Sequence, residues 1–139
     1  MNKKILILGA SSDIGIETIK ILIKQNWVVY AHYNKNSRKL KELKKKYVNL
    51  KLIKSDFGKL NDETKIKKNF NHGYHSIVNL VGYIDNKTFI QTKLADTLTS
   101  LKVNALIPNQ IVKNNLNYML KVKWGRIVNG SALGIPYGG

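Results

Sequence analysis

Along the chain, short apolar runs alternate with longer segments in which apolar residues recur every three or four positions. Ile5-Leu6-Ile7-Leu8 is uninterrupted and ends at Gly9, the pattern of a strand buried on both faces. A helix is predicted from about Ile14 to Gln25, with Ile14, Thr18, Ile21 and Leu22 on one stripe. Trp27 to Tyr33 reads as a second strand. Leu40, Leu43 and Tyr47 then give a helix its buried side, and the lysines between them cover the wet face. Leu50 to Lys54 makes a third strand, Leu60 to Phe70 a weaker helix and Ser76 to Val81 a fourth strand. A long helical stretch runs from about Leu94 to Lys121, with Leu94, Leu98, Leu101 and Ala105 at helical spacing. Arg126 to Asn129 forms a fifth strand. Strands alternating with helices imply parallel units with right-handed crossovers. The expected fold is α/β, a doubly wound parallel sheet in the order 3-2-1-4-5. With no internal repeat or linker, residues 1–139 are read as one domain.

That order has a functional consequence. An open sheet of this kind binds its ligand outside the carboxyl ends of the strands, where strands 1 and 4 part. Gly9-Ala10-Ser11-Ser12-Asp13-Ile14-Gly15 stands at one of those ends, and Asn79 to Gly82 at the other. Small residues after strand 1 let the backbone approach a pyrophosphate, and the next helix offers unpaired N–H groups and its positive dipole end. Gly9 supplies the turn, Gly15 allows close helix–sheet packing, and Ser11 and Ser12 add hydroxyls. Taken alone, the stretch also reads as an ordinary strand-to-helix turn. Asp13 is placed to cap the first helix, with its charge turned away from any phosphate.

The turn resembles the TGxxxGxG turn of the short-chain dehydrogenase/reductase family, with Leu8 in place of Thr and Asp13 in place of the middle Gly. Further resemblances follow in that family's order. Ser55-Asp56-Phe57 stands where the family has an Asp at the adenine ring. Asn79-Leu80-Val81-Gly82 resembles its NNAG motif, Val103-Asn104 its Val-Asn pair, and Trp124-Gly125-Arg126-Ile127-Val128-Asn129 the strand that leads to its catalytic Ser. The resemblance spans the chain and implies the N-terminal part of a Rossmann domain, truncated after the fifth strand. It implies hydride transfer between a nicotinamide and a carbonyl or alcohol substrate, in the manner of a 3-oxoacyl reductase. The implied cofactor-binding residues are Gly9, Ser11, Ser12, Asp13, Ile14, Gly15, Asn34, Lys35, Arg38, Asp56, Phe57, Asn79, Val81 and Gly82. NAD-preferring sites place an acid at the end of strand 2. No Asp or Glu occurs between Trp27 and Lys41, so NADP(H) is expected over NAD(H), with Lys35 and Arg38 as partners for a 2′-phosphate. The other reading of those two is surface cations in a Lys-rich chain.

The family's chemistry uses Tyr, Lys, Ser and Asn. Asn104 matches the Asn, and Pro108 four residues later has no N–H to give its carbonyl, which leaves that oxygen for a relay water. A simple helix kink is the alternative. Ungapped counting puts Ala132 at the Ser position. Ser131 is the preferred candidate, which requires an irregular strand end at Gly130. The Tyr-x-x-x-Lys pair is missing from its expected place before Gly139, and Tyr137 has no residue four positions on. Tyr47 with Lys51 and Tyr83 with Lys87 fit the spacing and read as chance matches.

Composition adds bounds. There is no cysteine, which rules out disulfides and thiolate zinc sites and suits a reducing cytoplasm. His72 and His75 read as loop histidines and not metal ligands; Trp27 and Trp124 read as packing residues. The apolar run after Lys3 and Lys4 is too short for a signal peptide or a membrane span. The net charge is +16, yet only Arg38 and Arg126 are arginines among 24 basic residues, so no specific nucleic-acid partner is expected. The expected partners are a small carbonyl or alcohol substrate and, at full length, further copies of the same protein. A catalytically inactive dinucleotide-binding fragment and a basic polyanion-binding module stand as alternatives.

Overall fold

The computed structural model describes residues 2–131. Five parallel strands, β1 (Lys4–Leu8), β2 (Val28–Tyr33), β3 (Leu50–Lys54), β4 (Ser76–Asn79) and β5 (Arg126–Asn129), form one sheet in the order β3-β2-β1-β4-β5. Ile5 lies beside Val29 on one flank of β1 and beside Ser76 on the other. The two faces of β1 feed two cores. Leu6 and Leu8 pack with Phe57, Phe70, Tyr74 and Ile77; Ile5 and Ile7 pack with Ile16, Ile19, Val29 and Leu50. Two covered faces explain the uninterrupted apolar run of β1.

Helices α1 (Asp13–Lys24) and α2 (Arg38–Lys46) cover the second core, as Leu40, Leu43 and Tyr47 predict. Helix α1 rolls differently from expectation. Ile16, Ile19 and Ile23 are buried, whereas Ile14 and Ile21 are 69% and 56% exposed. Isoleucines at 14, 16, 19, 21 and 23 offer two stripes. Gly15 decides between them, because a Cβ there would sit 2.6 Å from the Ala10 carbonyl oxygen, so this face must lie against the turn. The cap also differs: Ser12 Oγ accepts the Gly15 N–H at 3.1 Å, and Asp13 is the first helical residue.

Helices α3 (Glu63–Phe70) and α5 (Ile107–Lys121) cover the first core. Asp62 caps α3 by accepting the Thr64 N–H at 2.8 Å, so Leu60 is buried ahead of the helix, not within it. Strand β4 ends two residues early, because the Asn79 side chain accepts the Val81 N–H at 3.1 Å and turns the chain. The long predicted helix is divided. Helix α4 (Leu94–Leu101) passes through a π-helical stretch, Lys102–Leu106, into α5. The Ile107 N–H reaches back five residues to the Lys102 carbonyl, the ladder slipping just before the proline that cannot donate. The expected stripe Leu94, Leu98, Leu101 is exposed, and the buried row is instead Ile107, Ile111, Asn115 and Met119. Asn115 is wholly buried and donates to the carbonyls of Phe70 (2.9 Å) and Ile111 (2.8 Å), joining α3 to α5.

At the opposite end of the sheet Trp27 and Trp124 pack with ring centres 6.1 Å apart. No described helix is long and apolar enough to cross a membrane, and no group of three metal-ligating side chains occurs among the described residues.

Candidate nucleotide-binding cleft

A cleft of about 600 Å³ opens at the carboxyl ends of the strands, where β1 and β4 diverge. Its floor is the turn after β1. Gly9 has φ +71°, a left-handed conformation, and a Cβ there would lie 2.7 Å from the Leu80 oxygen. Only glycine lets this turn lie against the backbone that follows β4. Ser12 Oγ donates to the Gly9 carbonyl at 3.0 Å while capping α1, so the turn is closed by its own side chain.

One wall comes from β2 and β3. His32 is 3% exposed, and its backbone carbonyl accepts the Ala10 N–H at 2.8 Å. Its Nδ1 accepts the Gly9 N–H at 3.2 Å, and its Nε2 lies 3.0 Å from the Ser55 oxygen. The ring stacks on Phe57, centres 4.2 Å apart. Burial pushes its pKa down to about 4, against a smaller opposing effect of the Ser55 carbonyl. Beyond Phe57, Asp56 Oδ1 accepts the Gly58 N–H at 3.0 Å, and Lys102 Nζ donates to the Gly58 carbonyl at 2.9 Å. Both ends of that residue are therefore held. Lys35 and Lys59 line the same side of the cleft.

The other wall is Leu80 to Tyr83 with Thr99 and Val103. Asn104 fastens it: Oδ1 accepts the Tyr83 N–H at 2.7 Å, and Nδ2 donates to the Tyr83 carbonyl (2.9 Å) and to Ser100 Oγ (3.2 Å). The π stretch thus sends Lys102 to one wall, Val103 into the cleft and Asn104 to the other wall.

Of the residues proposed from sequence, Gly9, Ser11, Ser12, Asn34, Lys35, Asp56, Phe57, Val81 and Gly82 line this cleft. Asn79 and Gly15 support it from behind. Three others proposed for the cofactor do not line it. Asp13 points outward to Lys39 Nζ at 2.7 Å, which holds its carboxyl below the ordinary range. Ile14 is exposed beside it. Arg38 opens α2 and pairs with Glu42 one turn on, its side chain 94% exposed, so the helical i,i+4 direction takes it elsewhere. Ser131 is exposed, two residues past the end of β5, and does not line the cleft either. Ala132 and Tyr137 lie outside the described residues.

Among the described residues neither Tyr-x-x-x-Lys match is joined by a hydrogen bond, and Tyr83 is only a minor electrostatic neighbour of Lys87. Lys87 is drawn 2.6 Å from Asp96, and Tyr83 sits on a loop. Tyr47 packs at the end of α2 while Lys51 lies over the Tyr30 ring. Sequence reasoning missed His32, Lys59 and Lys102. The signal for His32 was a lone imidazole inside the apolar run of β2.

The order β3-β2-β1-β4-β5, with a glycine turn at the switch point, places the protein in the Rossmann class. The short chain dehydrogenase family model matches residues 3–135, and the chain belongs to that family. Over 61 residues it is 38% identical to 3-oxoacyl-(acyl-carrier-protein) reductase FabG of Aquifex aeolicus (strain VF5), a stretch of 44% of this chain and 25% of that protein. Among solved structures, a short-chain dehydrogenase from Sphingobium yanoikuyae in complex with NADPH superposes with TM-score 0.82 at 18% identity, over 99% of this chain and 57% of that one. The bulky-bulky ketone specific alcohol dehydrogenase from Comamonas testosteroni gives 0.82 at 19%, over 99% and 58%. ElxO with NADP bound gives 0.76 at 25%, over 96% and 56%. The chain therefore spans well under two thirds of the length of these relatives.

Proposed function

We propose that the chain is the dinucleotide-binding part of an NADP(H)-dependent short-chain oxidoreductase. The substrate class is a small carbonyl or alcohol, with a 3-oxoacyl group as the example the FabG relative suggests. The carrying observation is the Gly9 turn. Its left-handed φ and its close approach to the Leu80 backbone exclude any side chain there, and the amino end of α1, with Ser12, opens on the cleft. The donor set fits the group. Ser11 and the amino end of α1 suit a pyrophosphate, and the Asp56-Phe57-Gly58 turn lines the side suited to the adenosine end. Lys35 and Lys59, with no carboxylate at the end of β2, suit a further phosphate over a free ribose hydroxyl.

When bound, the nicotinamide would supply or accept the hydride. This chain's residues do the positioning. Asn104 spends its side chain on Tyr83, so a proton relay at this residue would use its main-chain carbonyl, to which Pro108 has no N–H to give. We propose Ser131, exposed two residues past the carboxyl end of β5, as the substrate-orienting hydroxyl. A homo-oligomer and a cytoplasmic setting complete the reading. The leucine-rich face of α4 and the cysteine-free composition support them.

Calorimetric titration with NADPH and NADH tests the reading. NADPH is expected to bind more tightly, and Lys35→Ala to weaken NADPH by about 10-fold while leaving NADH unchanged. Tighter NADH binding overturns the preference. Absence of binding by both overturns the nucleotide reading of the cleft.

A further inference from the structure

We propose that His32 is a positioning residue for nucleotide binding: its imidazole ties the turn after β1 to the turn after β3 and holds both in their binding shape before a ligand arrives. The inference rests on the nucleotide reading of the cleft. The Ser55 carbonyl can only accept a hydrogen bond, so the proton sits on Nε2, 3.0 Å away. That leaves Nδ1 as an acceptor, and the Gly9 N–H fills it at 3.2 Å. Two partners of opposite polarity thus select one neutral tautomer. Packing fixes the ring as well. It is stacked within 8° of the Phe57 plane and meets Phe70 edge-on at 5.7 Å.

The same residue's carbonyl holds the Ala10 N–H, so consecutive amides of the phosphate turn both end on residue 32. The other end of the ring contacts Ser55, directly before the Asp56-Phe57-Gly58 turn. A site whose ligand would touch both turns gains affinity when they are already set, because less ordering remains to oppose binding. A residue that served only the fold would lower stability and leave affinity unchanged in protein that is still folded.

Three measurements near neutral pH test this, each well below the unfolding temperature of the variant used. Imidazole 15N shifts of the wild-type protein should show a neutral ring protonated at Nε2; a proton on Nδ1 overturns the proposal without any variant. His32→Phe keeps the ring and its stack on Phe57 but removes both hydrogen bonds. In nucleotide-free protein the Gly9 amide should then exchange at least about 10-fold faster, and the NADPH dissociation constant should rise by about 10-fold. His32→Asn returns an acceptor near the Nδ1 position and should recover most of the Gly9 protection and part of the affinity. If wild type binds NADPH and both variants bind it equally well with only a lowered melting temperature, the positioning role is overturned. If wild type binds no nucleotide, the reading of the cleft fails and takes this proposal with it. If the amide of Gly9 is unaffected by loss of the imidazole, this proposal fails alone.

Discussion

Lowering the pH from about 7 to about 4 protonates His32 in the unfolded chain well before the folded one. The folded pKa is about 4, against an ordinary value of 6.5. The cause is burial, which opposes the cation. Between those values the unfolded state binds the additional proton, so stability is complete above about pH 6.5 and declines as the pH falls toward about 4. A separation of that size is worth about 3 kcal/mol. For a urea slope of ~1–3 kcal/mol/M, the midpoint should fall by about 1–3 M from this group alone. His75 has the same sign, its pKa lowered by burial and then by Lys3 and Lys4, and Asp13 and Asp96, each held low by a lysine partner, also lose stabilisation as the pH falls. Comparison with His32→Phe removes these shared contributions. Urea melts followed by circular dichroism at half-unit pH steps should give two curves that converge as the pH falls. Parallel curves from pH 7 to pH 4 would refute the claim that the folded state excludes the His32 proton.

Other substitutions test other contacts. Gly9→Ala forces an L side chain into φ +71° and a Cβ to 2.7 Å from the Leu80 oxygen; at least about 1–2 kcal/mol of stability and all detectable NADPH binding should be lost, measured by urea melts and calorimetry. Asn115→Ala leaves the buried Phe70 carbonyl without its side-chain donor and opens a cavity, so unfolding should become easier by about 2–4 kcal/mol in urea melts. Asn104→Ala releases both ends of the Tyr83 backbone, and hydrogen exchange at the Tyr83 amide should accelerate with little change in melting temperature. Lys39→Ala removes an exposed partner of Asp13 and should leave both the urea midpoint and NADPH affinity unmoved.

The strand order was legible because short segments with an apolar centre alternate with longer helical ones, and parallel units admit few connections. The roll of α1 was not. Isoleucine at both 14 and 16 makes two stripes equally apolar, and only the contact of Gly15 with Ala10 separates them. Ser12 and Asp13 are both good caps, so adjacent positions competed on equal terms until the backbone placed one of them outside the helix. Pro108 announced an irregularity but not its form, since a missing N–H is equally compatible with a kink and with a slipped ladder. In the cleft, the glycine turn could be placed from its position after the first apolar run, and Asp56 from the family resemblance. Arg38 could not, because one residue at the start of a helix decides whether a side chain reaches forward to a ligand or along the helix to Glu42. His32 was hidden by its setting: within a buried strand an imidazole looks like one more apolar-face residue until its two partners are known.

The π stretch between α4 and α5 also sets a phase. Thr99 and Val103 line the cleft, and Ile107, Ile111, Asn115 and Met119 continue the same every-fourth-residue row into the core. In an unbroken α-helix such a row drifts by about 40° per step, so its two ends would face nearly opposite directions. The additional residue in the slipped turn takes back about 100° of that drift. Deleting one residue between Lys102 and Leu106 would repair the hydrogen-bond ladder and leave the α5 row seated on the sheet. It would also turn α4 by about 100° and swing Thr99 away from the cleft. At this point a change of one in chain length leaves the α5 packing in place and puts the binding wall out of register.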